Sequence, residues 1–600
     1  MASNRFSEAA GNGTDRDTLI ARLRAIVGRR HVLTGDSATR RYRHGYRSGS
    51  GAVIAVIRPA SLVELWNVAR ICVRADCSII LQAANTGLTG GSTPDGDAYP
   101  GGVIIISTLR ISTIHLLQGG RQAVCLPGTT LHALEKRLRP LGREPHSVIG
   151  SSCFGASVVG GVCNNSGGSL IQRGPAYTQL ALFAVVELDG TLRLVNHLGI
   201  ALGDDPEEML DRLERGDFTD ADIEMPPTRT AHDHRYADHV RDVDSDRPAR
   251  FNADERCLFE ASGSAGKAIV FAVRLDSFHR DADSSTFYIG TNDPGRLDTI
   301  RRTILSEFPI LPISGEYIHR TAFDMADHYG RDMVFTIERL GTDRLPSLFA
   351  AKARLDAWAS RMPLLGEAPS ERMMQGIGRL LPDPLPRRMR EYRDRFEHHL
   401  ILKVADSIAN ETRALLAKVF EQGQGAFFEC GAREASKAFL HRFVVAGAAV
   451  RFRAVHQDEV EDIVALDVAL PRNARDWSQL LPAGHEGEVI HALCYGHFFC
   501  HVFHQDYIVR KGSDAAKLKR ELCAWLDARG AEYPAEHNVG HQYVAKPALA
   551  RFYQALDPRN QLNPGLGGTS RNRAWRAGGP CPADPAEIKN ISCHSTEGTP

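Results

Sequence analysis

Short apolar runs alternate with amphipathic stretches along the first half of the chain. Ala52–Ile57, Ser78–Gln82, Val103–Ser107 and Ala123–Leu126 are brief and rich in Val, Ile and Leu, the pattern of buried strands. Ser61–Ala75 sets Leu62, Leu65, Val68, Ala69 and Cys72 at three- and four-residue spacing, which predicts an amphipathic helix, and Thr130–Leu138 predicts another. Strand pattern returns at Ile269–Leu275, and about 287 to 527 reads as mixed. Strands interleaved with helices imply an α/β or α+β architecture without internal repeats.

At 600 residues the chain exceeds one core, and roughly 150 residues per domain predicts about two to four domains. Lys plus Arg (72) equals Asp plus Glu (72), so the formal charge is zero, which excludes a chain-wide nucleic-acid binder. Hydrophobic content of 43% fits a folded globular protein. The first forty residues hold no apolar core of a secretory signal, and runs such as Ala181–Val186 fall far short of the roughly 18 residues of a membrane span. Membrane contact is therefore expected to be peripheral. The twelve cysteines form no C-x-x-C pair, so reduced thiols in a cytosolic setting are expected.

The neutrality is uneven. Asp204 to Asp246 carries fifteen acidic residues against five Arg, which predicts a surface excursion. Arg372 to Arg395 carries seven Arg against three acids, among Met373, Met374, Leu380, Leu381, Leu385 and Met389, a composition suited to anionic lipid headgroups. Pro145 to Gln172 holds no Asp, Glu, Lys or Arg in 28 residues and predicts a buried, backbone-led segment.

No G-x-G-x-x-G follows a predicted strand, so the usual dinucleotide fingerprint is missing. Two other loops suit a phosphate. Ala83-Ala84-Asn85-Thr86-Gly87-Leu88-Thr89-Gly90-Gly91-Ser92 follows the strand Ser78–Gln82, and Gly150 to Ser169 is rich in Gly and Ser. Small residues admit close backbone approach, and consecutive N–H groups form an anion nest.

These loops, the run PGTTLHALEKRLRPLGREPHSVIGSSCFGASVVGGVCNNSGGSLIQRGPAYT, RYRHGYRSG, LFEASGSAGK, YGHFFCHVFHQDYIVRKG, YPAEHNVGH and DPRNQLNPGLG resemble the membrane-associated, quinone-dependent D-lactate dehydrogenases of bacteria. That family belongs to the flavoprotein superfamily typified by vanillyl-alcohol oxidase, and the likeness runs to about Trp575. It implies an α+β fold: a two-subdomain FAD-binding domain over residues 1–276 completed by 528–575, and an α+β cap over 277–527. A mainly helical, basic membrane-contact insertion would span about 319–395 and 434–457, and a disordered tail 576–600. It implies noncovalent FAD held by Ala83, Ala84, Asn85, Thr86, Gly87, Gly91, Ser92, Gly150, Ser157, Gly167 and Val270.

His497, His501 and His504 lie within eight residues, and Glu536-His537 follows. The H-x6-H spacing of His497 and His504 with that Glu-His pair resembles related FAD-dependent D-2-hydroxyacid dehydrogenases. The likeness implies His497, His504 and Glu536 as ligands of a divalent metal and His537 as catalytic base. Oxidising a 2-hydroxy acid needs a base near pH 7, which imidazole supplies, and a metal would acidify the hydroxyl. The two His and the carboxylate could instead bind substrate directly, and His501 reads as a core residue. Arg47, Arg442 and Arg451 are candidates for the substrate carboxylate. The expected activity is oxidation of D-lactate to pyruvate with ubiquinone or menaquinone as acceptor, on the cytoplasmic face of the inner membrane. The rival readings are a dehydrogenase with a soluble acceptor and a flavin-binding scaffold without turnover.

Overall fold

A computed structural model describes residues 12–45, 47–146, 155–280, 283–340 and 369–575 of the chain. Gly150 and the tail after residue 575 lie outside them.

The first layer follows the apolar pattern, although the strand expected over Ala52–Ile57 forms only over Ala55–Ile57. Ala55–Ile57, Val103–Ser107 and Ser78–Gln82 pair in parallel in that order, with Val32–Leu33 antiparallel at the edge. All five residues of Val103–Ser107 are buried, as befits a parallel strand covered on both faces. The expected helix spans Leu62–Arg74. The Ser61 side chain accepts from the Glu64 N–H, and Glu64 takes the Ala60 N–H in return. The helix Leu131–Leu138 is likewise capped by Thr130.

The second layer is an antiparallel sheet in the order Ile114–Leu117, Gln122–Cys125, Ile269–Asp276, Ala181–Val186, Leu192–Asn196. Ile79, Ile104, Leu182 and Phe271 from the two layers share one core. The acidic segment is only partly an excursion. Its helix Pro206–Arg215 buries Met209, Leu210 and Leu213 in that core and leaves its acids outward, because an amphipathic stripe can be packed while its charged face stays wet.

The third layer is a seven-stranded antiparallel sheet in the order Gly425–Glu429, Ser284–Thr291, His398–Ala405, Ser314–His319, Val489–His497, Val502–Arg510, Val460–Ala469. Alternation along its strands feeds two cores. Phe287, Ile289, Leu400 and Leu402 face one, covered by the helices Pro294–Glu307 and Ala409–Val419. Tyr288, Ile401, Leu493 and Ile508 face the other, covered by Arg320–Tyr329, Arg387–Arg395, Ala432–Phe443 and Val445–Val455. The C-terminal segment then returns to the first layer. Ile79 N–H donates to Gln561 O, Asn563 N–H to Ile79 O, and Leu562 enters the first core. The fold is α+β. No helix among the described residues is long and apolar enough to cross a membrane.

Candidate active site

The first Gly-rich loop leaves the C-terminal end of Ser78–Gln82 and is folded back on itself. Asn85 adopts a left-handed conformation (φ 55°), and its side chain donates to His44 O and accepts from Ser92 Oγ. Among the described residues, the backbone N–H groups of Ala84, Asn85, Thr86 and Gly87 meet no protein acceptor, although Ala84, Asn85 and Thr86 are only half-exposed. A row of free donors without a charged side chain suits an elongated anionic ligand such as a pyrophosphate. The second loop comes alongside: a Cβ on Gly155 would lie 3.9 Å from Ala84 Cβ. Ser157 is spent locally, capping the helix Val158–Cys163 by accepting from Gly160 N–H. Val270 is buried beside a register shift in its strand. Asn563 Nδ2 donates to Gly91 O at 2.8 Å, so the C-terminal segment pins the first loop.

Gly167 joins this cradle to the histidine cluster. A side chain there would strike the Glu536 carboxylate at 2.4 Å and the Arg250 guanidinium at 3.0 Å. His497 ends one central strand of the third sheet and His504 lies on the next, facing Tyr495 in register. Glu536 and His537 arrive on the following loop. Ligand atoms of His497, His504 and Glu536 lie within 4.8 Å of one another, a spacing one divalent cation could bridge. His537 is set apart: its Nδ1 lies 2.6 Å from Asp467 Oδ2, which leaves Nε2 free. His501 is fully buried, with its Nδ1 on Pro471 O, a core histidine.

Three residues that spacing did not reveal support this set. Glu316 Oε1 holds His497 Nδ1 at 2.6 Å, and its other oxygen pairs with Arg442 at 2.7 Å. Asp467 Oδ1 lies 3.3 Å from His504 Nδ1. Arg250, fully buried, donates to Gly168 O and to Glu536 Oε1 at 2.5 Å. Imidazoles backed at Nδ1 by carboxylates present Nε2 to a metal, the usual outer support of such ligands. Three buried carboxylates face two arginines, and the remaining negative charge is met either by a proton on His497 or by a cation held on neutral imidazoles. Burial opposes ionisation of Glu536, but His497 and Arg250 outweigh it and hold the carboxyl well below its ordinary range. Burial also opposes a charge on His497, and Glu316 and Glu536 prevail, raising it to about 9. His537 is raised in the same way, Asp467 outweighing burial.

The arginine candidates separate. Arg451 is consumed by ion pairs to Asp332 and Glu371 within the helices, so it leaves the site. Arg442 belongs to Glu316 and lies over the Tyr495 ring. Arg47 is exposed, has no ion-pair partner among the described residues, and its charge is felt by His537, Tyr495 and Tyr543.

Comparison with known proteins decides the family. Quinone-dependent D-lactate dehydrogenase of Escherichia coli (strain K12) is 53% identical over 94% of this chain and 98% of its own. The chain belongs to the quinone-dependent D-lactate dehydrogenases. The enzyme of that name from Haemophilus influenzae is 52% identical over 93% of this chain and 99% of its own. Residues 53–196 match the family model described as FAD binding domain, and 286–575 that described as D-lactate dehydrogenase, membrane binding. Both loops of the cradle fall in the first match and the histidine cluster in the second. The fold is also that of p-cresol methylhydroxylase, at 12% identity and a TM-score of 0.56 over 93% of this chain and 98% of that one.

Proposed function

We propose that this chain oxidises D-lactate to pyruvate and hands the electrons, through noncovalently bound FAD, to ubiquinone or menaquinone at the inner membrane. The observation that carries the site assignment is the convergence of His537 with the His497–His504–Glu536 set beside Gly167, where the two loops meet the cap.

The residues named for FAD are Ala83, Ala84, Asn85, Thr86, Gly87, Gly91, Ser92, Gly150, Ser157, Gly167 and Val270, and the free N–H row of the first loop would receive its pyrophosphate. The chemistry FAD supplies when bound is acceptance of a hydride. A divalent cation on His497, His504 and Glu536 would supply a Lewis acid that lowers the pKa of the substrate hydroxyl. The chain does the rest. Asp467 orients His537 so that Nε2 carries the lone pair that takes the hydroxyl proton. Arg47 is the cation offered to the substrate carboxylate, since the other two candidates already hold acids.

Membrane attachment rests on two features of the cap. The basic stretch is less free than its count suggests: Arg387, Arg388, Arg390 and Arg393 pair with Glu391, Glu434, Asp383 and Asp324. What stays open is an apolar stripe on the helix Pro369–Leu380, with Met373, Ile377 and Leu380 at helical spacing and Leu380 87% exposed. Arg379, unpaired among the described residues, flanks it. Such a stripe suits the headgroup boundary of an anionic leaflet, facing the cytoplasm.

An anaerobic titration of the FAD-loaded protein tests the reading. D-lactate should bleach the flavin spectrum and L-lactate should not, and reoxidation should require a quinone analogue in vesicles. Bleaching by neither enantiomer would reject the activity, and reoxidation by soluble dyes alone would favour the soluble-acceptor reading.

A further inference from the structure

Asp467 sits at the end of the strand Val460–Ala469, with a side chain only 8% exposed, and contacts two histidines of different assigned roles. Its Oδ2 accepts from Glu536 N–H and from His537 Nδ1, both at 2.6 Å. Its Oδ1 is buried, makes no well-aligned hydrogen bond among the described residues, and lies 3.3 Å from His504 Nδ1. The His504 and His537 ring centres are 6.1 Å apart, on either side of this one carboxylate. A buried carboxylate oxygen without a donor is costly, and the imidazole beside Oδ1 is the group placed to satisfy it.

We infer that Asp467 is a shared positioning residue: one carboxylate fixes the tautomer of both His504 and His537. Holding a proton on each Nδ1 turns both Nε2 lone pairs toward the site. The lone pair of His504 is then offered to the cation and that of His537 to the substrate hydroxyl. The same oxygen that holds His537 also holds Glu536 N–H, so the third metal ligand is registered to the same group. The inference rests on the metal-and-base reading of the cluster and adds to it a single point on which ligand and base depend together.

The amide of Asp467→Asn separates the two roles, because it keeps one acceptor and turns the other into a donor. Glu536 N–H and His537 both require an acceptor on the Oδ2 side, so the amide nitrogen will face His504. That forces His504 into the opposite tautomer, with Nε2 protonated and unable to bind metal. The expected result for FAD-loaded D467N is Zn2+ affinity lower by about 10–100-fold, with the rate of flavin reduction by D-lactate largely restored at saturating Zn2+. In ring-nitrogen NMR of the same variant, His504 should exchange its Nδ1 and Nε2 signals while His537 keeps its own. Unchanged Zn2+ affinity and unchanged rate would overturn the inference. Unchanged affinity with a rate that no Zn2+ restores would place Asp467 on His537 alone and also overturn the shared role. If the unaltered enzyme binds no Zn2+, the metal reading falls, and the ring-nitrogen signals of both histidines in D467N still decide the role of Asp467. Those signals are read only from protein whose flavin fluorescence and melting curve match the parent, and Asp467→Glu, which retains two acceptors, should keep both tautomers.

Discussion

At the scale of single residues, the site depends on charged groups that pair with one another out of water. His537 takes the hydroxyl proton in the proposed reaction, so His537→Ala should slow flavin reduction by about 10²–10⁴-fold while FAD stays bound, read by stopped-flow absorbance. A rate near that of the parent would remove His537 as base. Arg250 makes a different case. It is buried against Glu536 and Gly168, and Arg250→Met leaves a buried carboxylate without its cation. Losing one partner of such a pair typically costs about 3–5 kcal/mol, so the denaturation midpoint should fall clearly. No change would mean that water reaches Glu536 and carries its charge instead.

At the scale of elements, the proposed attachment falls to one helix. The helix Pro369–Leu380 packs against Val445–Val455 while Met373, Ile377 and Leu380 stay exposed. Replacing all three by Ser removes roughly 1.5–3 kcal/mol of burial per side chain that enters the lipid boundary. The triple variant should leave anionic vesicles in a sedimentation assay and keep the parent's turnover with a soluble dye, since that helix makes its main contacts with the helices Val445–Val455, Arg331–Leu340 and Arg320–Tyr329 rather than with the strands that carry the histidines. Sedimentation equal to the parent's would exclude this helix as the docking element. Because four arginines of the neighbouring stretch are already paired with acids, vesicle binding should weaken only modestly with salt.

For the molecule as a whole, buried imidazoles set the acid limit. Burial, aided by the Arg173 charge, holds His146 down at about 3, and burial foremost holds His399 at about 3 and His398 and His441 at about 4. In the unfolded chain these rings protonate near pH 6.5. Between about pH 6.5 and 4 only the unfolded state takes up those protons, so folding stability should fall steadily as pH drops through that window. Urea midpoints measured from pH 7 to 4.5 should decline, and His399→Asn should flatten the slope. A flat profile in the parent would show that these rings charge without unfolding.

Much of the architecture could be read from the chain. The helices Leu62–Arg74 and Leu131–Leu138 and the strands Ser78–Gln82 and Val103–Ser107 fall within a residue or so of where the apolar pattern puts them, because each helix carries its own period and N-cap and each strand its own short apolar run. The Gly-rich loops were visible as short runs whose composition is local, and His497, His504, Glu536 and His537 were joined into one set by their resemblance to related FAD-dependent dehydrogenases. The partners Glu316, Asp467 and Arg250 were not. Each is a lone charged residue in an otherwise ordinary segment, and Arg250 lies 286 positions from the Glu536 it serves. Nor could the sequence tell that Arg451 is consumed by Asp332 and Glu371, or that most of the basic stretch is neutralised by acids such as Asp324 and Glu434. Local period and composition are properties of neighbours along the chain and survive in the sequence. Pairing of buried charges is a property of neighbours in space, fixed only when the seven-stranded sheet and the returning C-terminal segment bring distant residues out of water together.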